Sequence, residues 1–155
     1  SLRRVAHYDY WSDKVRRSIL LDSKADLVSF GMGENSILEM AHRLAGGESV
    51  QDLRNMRGVA YCLGASEEPP EDSLELPSYE AICESKTDFA IATKMLHNET
   101  NPYNAKRLVQ YHDRQAVVLN PPNFRYPRQR WIGSMISPTL VRLIPATRNR
   151  FPPTA

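Results

Sequence analysis

The 155 residues, 41% hydrophobic and 25% charged with a formal net charge of +2, have the size and make-up of one ordinary globular domain with a sizeable core. No apolar run approaches the roughly 20 residues of a membrane span and no secretory leader opens the chain, so no membrane role is expected. Cys62 and Cys83 stand too far apart for a CxxC pair, which excludes a visible zinc or disulfide framework and makes a reduced, cytoplasmic setting the expectation.

In the first 22 residues, Trp11, Val15 and Ile19 fall at i, i+4 and i+8 with Leu20 beside them. That spacing predicts a helix, and Ser12-Asp13 offers its N-cap. Just ahead, His7-Tyr8-Asp9-Tyr10-Trp11 is dense in groups that hydrogen-bond and stack. Aromatics packed on a core edge with His7 capping a turn is the plainer reading, and His7, Tyr8 and Trp11 are the first candidate binding residues. The chain starts inside what reads as ordered structure.

The stretch from Ala25 to Leu44 carries the clearest pattern. Leu27, Val28 and Phe30 form an apolar run of strand length, and Gly31 and Gly33 supply a tight turn. Ile37, Leu38, Ala41, Leu44 and Ala45 then mark one face of a helix that Gly46-Gly47 closes. A strand feeding a helix in this way is half of a βαβ unit. The expected fold is therefore α/β, a partial doubly wound parallel sheet with flanking helices and this strand at its centre.

Val50, Leu53 and Met56 predict a short helical connector, and Val59–Leu63 between Gly58 and Gly64 a strand, with Cys62 as a small buried hydrophobe. Ser66 to Pro77, with Pro69-Pro70 among five acids, predicts a solvated loop. Ser78 caps a predicted long helix from Tyr79 to about His97, whose buried stripe is Ile82, Phe89, Ala92, Met95 and Leu96, with a structural Cys83 beside it. Arg107–His112 and Ala116–Asn120, joined by Asp113-Arg114-Gln115, predict a β-hairpin that Pro121-Pro122 ends.

The charge is unevenly spread. Residues 1–122 carry a balance of −4, whereas residues 123–155 hold six Arg and no Lys, Asp, Glu or His. At face value that is a basic nucleic-acid arm. Its lack of acids and of hydrophobic periodicity predicts an irregular, disordered tail.

Few residues advertise chemistry. Gly31-Met32-Gly33-Glu34-Asn35-Ser36 approaches the dinucleotide fingerprint GxGxxG but has Ser36 at the third glycine, and no acid follows on a later strand. The turn still precedes a helix N-terminus, which offers amide groups to an anion, so Gly31, Gly33 and Glu34 are candidate binding residues. A tight turn alone also accounts for the glycines. His7, His42, His97 and His112 share no metal spacing, and no nucleophile-elbow, zinc-protease or P-loop motif occurs. No catalytic residue and no metal ligand is assigned.

Longer blocks carry a family resemblance. The run Ser1 to Asp22, then Ala25-Asp26-Leu27 with Gly31-Met32-Gly33-Glu34, then Leu76-Pro77-Ser78-Tyr79-Glu80, Leu108-Val109-Gln110 and Asn120-Pro121-Pro122, resembles in order the N-terminal region of YgiQ-type radical SAM proteins. The resemblance covers residues 1–122 and implies an α/β domain similar to cobalamin-binding domains. In that family the domain precedes a barrel whose CxxxCxxC motif holds a 4Fe-4S cluster that cleaves S-adenosylmethionine. This chain has no CxxxCxxC, so no cluster ligand carries over, and it has no DxHxxG segment for cobalamin.

Residues 131–142 can be encoded by bases that, read one position earlier, give MDRVYDLPYTRP, which resembles the family's own segment just after its Asn-Pro-Pro block. Residues 123–155 are therefore expected to be a frame-shifted tail, and nucleic acid is not an expected partner. The reading is a fragment of a radical SAM N-terminal domain, truncated at both ends, inactive alone and partnered by the missing barrel. An exposed sheet edge and poor stability would result. The alternative is a stand-alone α/β module that binds an anionic small molecule at the Gly31-Gly33 turn.

Overall fold

The computed structural model describes residues 2–64 and 66–124, except the side chain of Leu2; of the expected irregular tail, residues 125–155 lie outside the described residues. After a short 3-10 turn, β1 (His7–Asp9) and β2 (Lys14–Arg16) pair antiparallel as a separate two-stranded sheet. The spacing of Trp11, Val15 and Ile19 is thus not helical. Asp9 bends the chain by accepting the Trp11 N–H and the Ser12 hydroxyl, and Asp13 takes a left-handed φ of 50°. The helix starts only at α1 (Ile19–Ser23), where the Ser18 hydroxyl accepts the Leu20 N–H.

The main sheet contains β3 (Leu27–Ser29), β4 (Val59–Leu63), β5 (Ser73–Leu76), β6 (Arg107–His112) and β7 (Gln115–Leu119) in the order β3-β4-β7-β6-β5. With flanking helices and the β6–β7 hairpin, the α/β class is as expected. The sheet is mixed, however: β5–β6 is its parallel pair, and the other neighbours run antiparallel. The strand expected at the centre, β3, lies at an edge. Central β7 instead buries Val117 and Val118 completely.

Why β3 and β4 oppose each other is visible in the backbone. The Phe30 N–H donates to the Gly58 carbonyl at 2.9 Å, so the end of β3 touches the start of β4. Helix α2 (Gly33–Ala45) and the 3-10 turn Asp52–Asn55 are an excursion inside one wide hairpin. Gly58 must be glycine there. Its φ is +68°, and an added Cβ would lie 3.1 Å from Ser36 Oγ and 3.3 Å from the Phe30 carbonyl.

That close approach also decides which face of α2 is buried. Ser36 is fully buried, donating to the Arg57 carbonyl and accepting from Asn123, and Met40 packs with Leu53, Met56 and Val59. The expected face instead leaves Ile37 57% exposed and Leu44 in solvent.

Two further expectations change. The acidic loop contains β5, which contributes the buried Leu76 and pairs along β6. The long helix is two, α3 (Tyr79–Glu84) and α4 (Lys86–Asn98), divided at Ser85, whose extended backbone ends one while its hydroxyl accepts the Asp88 N–H to start the other. Ile82, Ala92 and Leu96 are buried as predicted, whereas Cys83 is exposed.

Beneath one sheet face, Ala60, Val117 and Leu119 pack with Val5, Leu20, Phe30, Leu76 and Leu96. Buried polar side chains fasten the outlying segments to this core. Gln110 accepts the Ala6 N–H at 2.7 Å and donates to the Pro77 carbonyl at 3.0 Å, holding the N-terminal segment against the β5–α3 junction. Ser18 donates to the Arg4 carbonyl. Asn120 donates to the carbonyls of Arg54 and Met56.

Candidate functional site

The candidate residues of the first block converge on the β1–β2 hairpin. Three paired positions set its register, with Tyr8 opposite Val15. The Tyr8 hydroxyl donates to the Asp13 carboxylate across the turn, which raises the phenol above its ordinary range. The Ser12 hydroxyl, aided by the Trp11 amide and Arg16, holds the Asp9 carboxyl below its usual range. Asp9 is thus an anion that shapes the turn.

The hairpin does not tuck its aromatics against the core. Tyr10 is 79% exposed and Trp11 92%, and their rings meet each other edge to face with centroids 6.0 Å apart. The expectation of core-edge packing therefore fails for these two, because the turn at Asp9 projects them outward. His7 does serve a local turn, with Nδ1 3.2 Å from the Val5 carbonyl oxygen.

Two cavities flank His7. One, of about 530 Å³, has an apolar floor of Val5, Ala6, Phe89 and Leu96 and a rim of Arg3, His7, Tyr8 and Thr93. The other, of about 280 Å³, is polar, lined by Arg3, His7, Asp9, Arg16, Ile19 and Asp22. Phe89 and Thr93 on α4 are not legible as site residues in the sequence, since some eighty positions separate them from the hairpin.

The second candidate group stands apart. Gly31 has a φ of +71° with open space where a Cβ would sit, and a Cβ on Gly33 would approach Ser29 Oγ to 2.8 Å. Glu34 is exposed in the first turn of α2, whose N-cap residue, Met32, gives no side-chain hydrogen bond. The structure does not bring this turn together with His7, Tyr8 and Trp11 in either cavity.

The donor set does not fit an iron–sulfur cluster held by three thiolates. Cys62 lies half-buried in β4, where burial pushes its thiol up, and Cys83 is exposed on α3. Among the described residues no three His, Cys, Asp or Glu side chains gather as a metal site, and no helix is long and apolar enough to cross a membrane.

Comparison with known proteins identifies the class. Residues 1–132 match the family described as Radical SAM N-terminal, and the chain belongs to that family. Among its relatives are UPF0313 proteins of Geobacter sulfurreducens, 48% identical over 80% of this chain, and of Rhodopseudomonas palustris, 45% identical over 79%. A UPF0313 protein of Vibrio vulnificus is 36% identical over 77%. The chain spans about a fifth of the length of these relatives, covering 20%, 21% and 22% of them respectively. No solved structure matches.

Proposed function

We propose that this chain is the non-catalytic docking domain of a radical SAM enzyme. Its partner is the remainder of the family protein, which supplies the 4Fe-4S cluster and binds S-adenosylmethionine. The hairpin carries this reading: Tyr10 and Trp11 are held outward on a turn pinned by Asp9, beside an apolar cavity floored by Phe89 and Leu96. Exposed aromatics on a fixed turn beside a concave apolar surface have the make-up of an interface centre. The cluster's thiolates come from outside this chain, whose two cysteines are fewer than the three a CxxxCxxC motif supplies. Cobalamin is not assigned to these residues.

The test fuses this chain in place of the matched fifth of the Geobacter relative and compares amide hydrogen exchange of residues 7–16 with that of the chain alone. Docking slows exchange in the hairpin at least about tenfold, and Tyr10→Ser with Trp11→Ser abolishes the slowing while circular dichroism stays unchanged. Equal exchange in the two proteins overturns the proposal.

A further inference from the structure

Away from the hairpin, a cavity of about 510 Å³ gathers three arginines from three separate elements: Arg43 of α2, Arg54 of the 3-10 turn and Arg107 of β6. Tyr61 of β4 lies at its wall, with the Arg54 guanidinium 5.4 Å from the ring centroid. Three guanidinium groups brought to one place from residues so distant in sequence are a product of the fold.

Each arginine has an acidic partner, and the acids lie further out than the cations. Side-chain exposure is 23% for Arg43 against 41% for Glu48, 28% for Arg54 against 46% for Glu67, and 25% for Arg107 against 73% for Asp72. The cations are therefore anchored while their counter-ions sit at the surface, where such pairs are weak and exchangeable. Glu48 and Asp52 also line the cavity, so an entering anion competes with resident carboxylates.

The donors are incompletely used. Among the described residues, Arg54 hydrogen-bonds through Nη1 to both Glu67 oxygens, leaving Nε and Nη2. Arg107 gives Nε to Asn120 at 2.9 Å and Nη1 to Asp72 at 2.6 Å, leaving Nη2. Arg43 is more fully committed, to Glu48, Asn55 and the Asp52 carbonyl. Asn120 is buried and donates to the Arg54 and Met56 carbonyls while accepting from Arg107, so one side chain fixes two walls of the cavity together. A planar fork of fixed donors is suited to phosphate oxygens.

We infer that this cavity is a binding site for a small phosphate-bearing polyanion, held by the unused N–H groups of Arg54 and Arg107, with Arg43 supplying field. The ligand competes with Glu67 and Asp72 for the charge of these two guanidinium groups.

Isothermal titration of the full chain with sodium pyrophosphate at low ionic strength tests this. Saturable one-to-one binding is expected. Arg54→Gln and Arg107→Gln each weaken it by about tenfold or more. Asp72→Asn, on a largely exposed side chain that leaves the fold intact, tightens it severalfold by removing the competitor. A merely structural ion pair gives no such gain. Absence of saturable binding overturns the inference. So does binding that both arginine variants leave unchanged, which marks anion capture elsewhere on the chain, or affinity that Asp72→Asn fails to raise.

Discussion

His112, at the end of β6, is 4% exposed and stacks on Tyr79 with ring centroids 5.5 Å apart. Neither ring nitrogen meets a hydrogen-bond partner among the described residues. Burial pushes its pKa from 6.5 down to about 4, opposed in part by the nearby Glu80 carboxylate. The folded state thus holds the neutral ring, while the unfolded chain takes up a proton more readily. Stability from this group is complete above pH 6.5, falls with pH through the window down to about 4, and is gone below it. The full shift corresponds to about 3 kcal/mol, of which about 2 kcal/mol is lost by about pH 5. Wild type is compared with His112→Phe, which keeps the stack, removes the nitrogens and shares every other titratable group with it. Urea unfolding followed by circular dichroism at a series of pH values from about 7.5 to about 4.5 should show the two stabilities diverging, the variant gaining about 2 kcal/mol relative to wild type. Parallel pH profiles would show that His112 protonates without cost in the fold, and would refute the reasoning.

Gly58→Ala forces a Cβ into the contact among Ser36, Asn123 and Phe30 at a φ of +68°. Thermal unfolding should register a loss of about 1–3 kcal/mol; an unchanged midpoint would mean that β3 and β4 need no close approach there. Gln110→Leu leaves the Ala6 N–H and the Pro77 carbonyl without their buried partner, at a cost of about 1–3 kcal/mol for each group left unsatisfied. Amide exchange at Ala6 should accelerate in that variant, and continued protection would assign the anchoring to the apolar contacts of Val5.

How much of this is legible in the sequence depends on the range of the forces involved. The β6–β7 hairpin and the span of α2 are local decisions, set by two short strand-like runs around Asp113-Arg114 and by glycines past Ala45, and both can be read directly from the residues. β5 is hidden because a four-residue parallel strand is defined by its partner β6, thirty-odd residues away, and sits among acids. The Trp11–Val15–Ile19 spacing misleads because a turn at Asp9 and a helix offer the same apolar interval, and only the hydrogen bonds of Asp9 choose between them. His7 and Tyr8 stand out by local density. The arginine cavity does not, because Arg43, Arg54 and Arg107 become neighbours only after β4, β7 and β6 have paired.

The glycine turn shows how topology limits what a motif can mean. In a doubly wound sheet the ligand crevice opens where parallel strands send their crossovers to opposite faces, and the fingerprint glycines let a phosphate approach there. Among the described residues β3 is an edge strand hydrogen-bonded antiparallel to β4, and Phe30 joins Gly58 directly, so no pair of diverging crossovers within them flanks Gly31 and Gly33. The third glycine of the fingerprint allows close helix–strand packing. Ser36 fills that place and achieves the same closeness, because the residue facing it, Gly58, has no side chain. The small residue stands at the strand entry instead of on the helix, and the Ser36 hydroxyl ties Arg57 to Asn123. The turn therefore works first as a packing joint between α2 and the sheet.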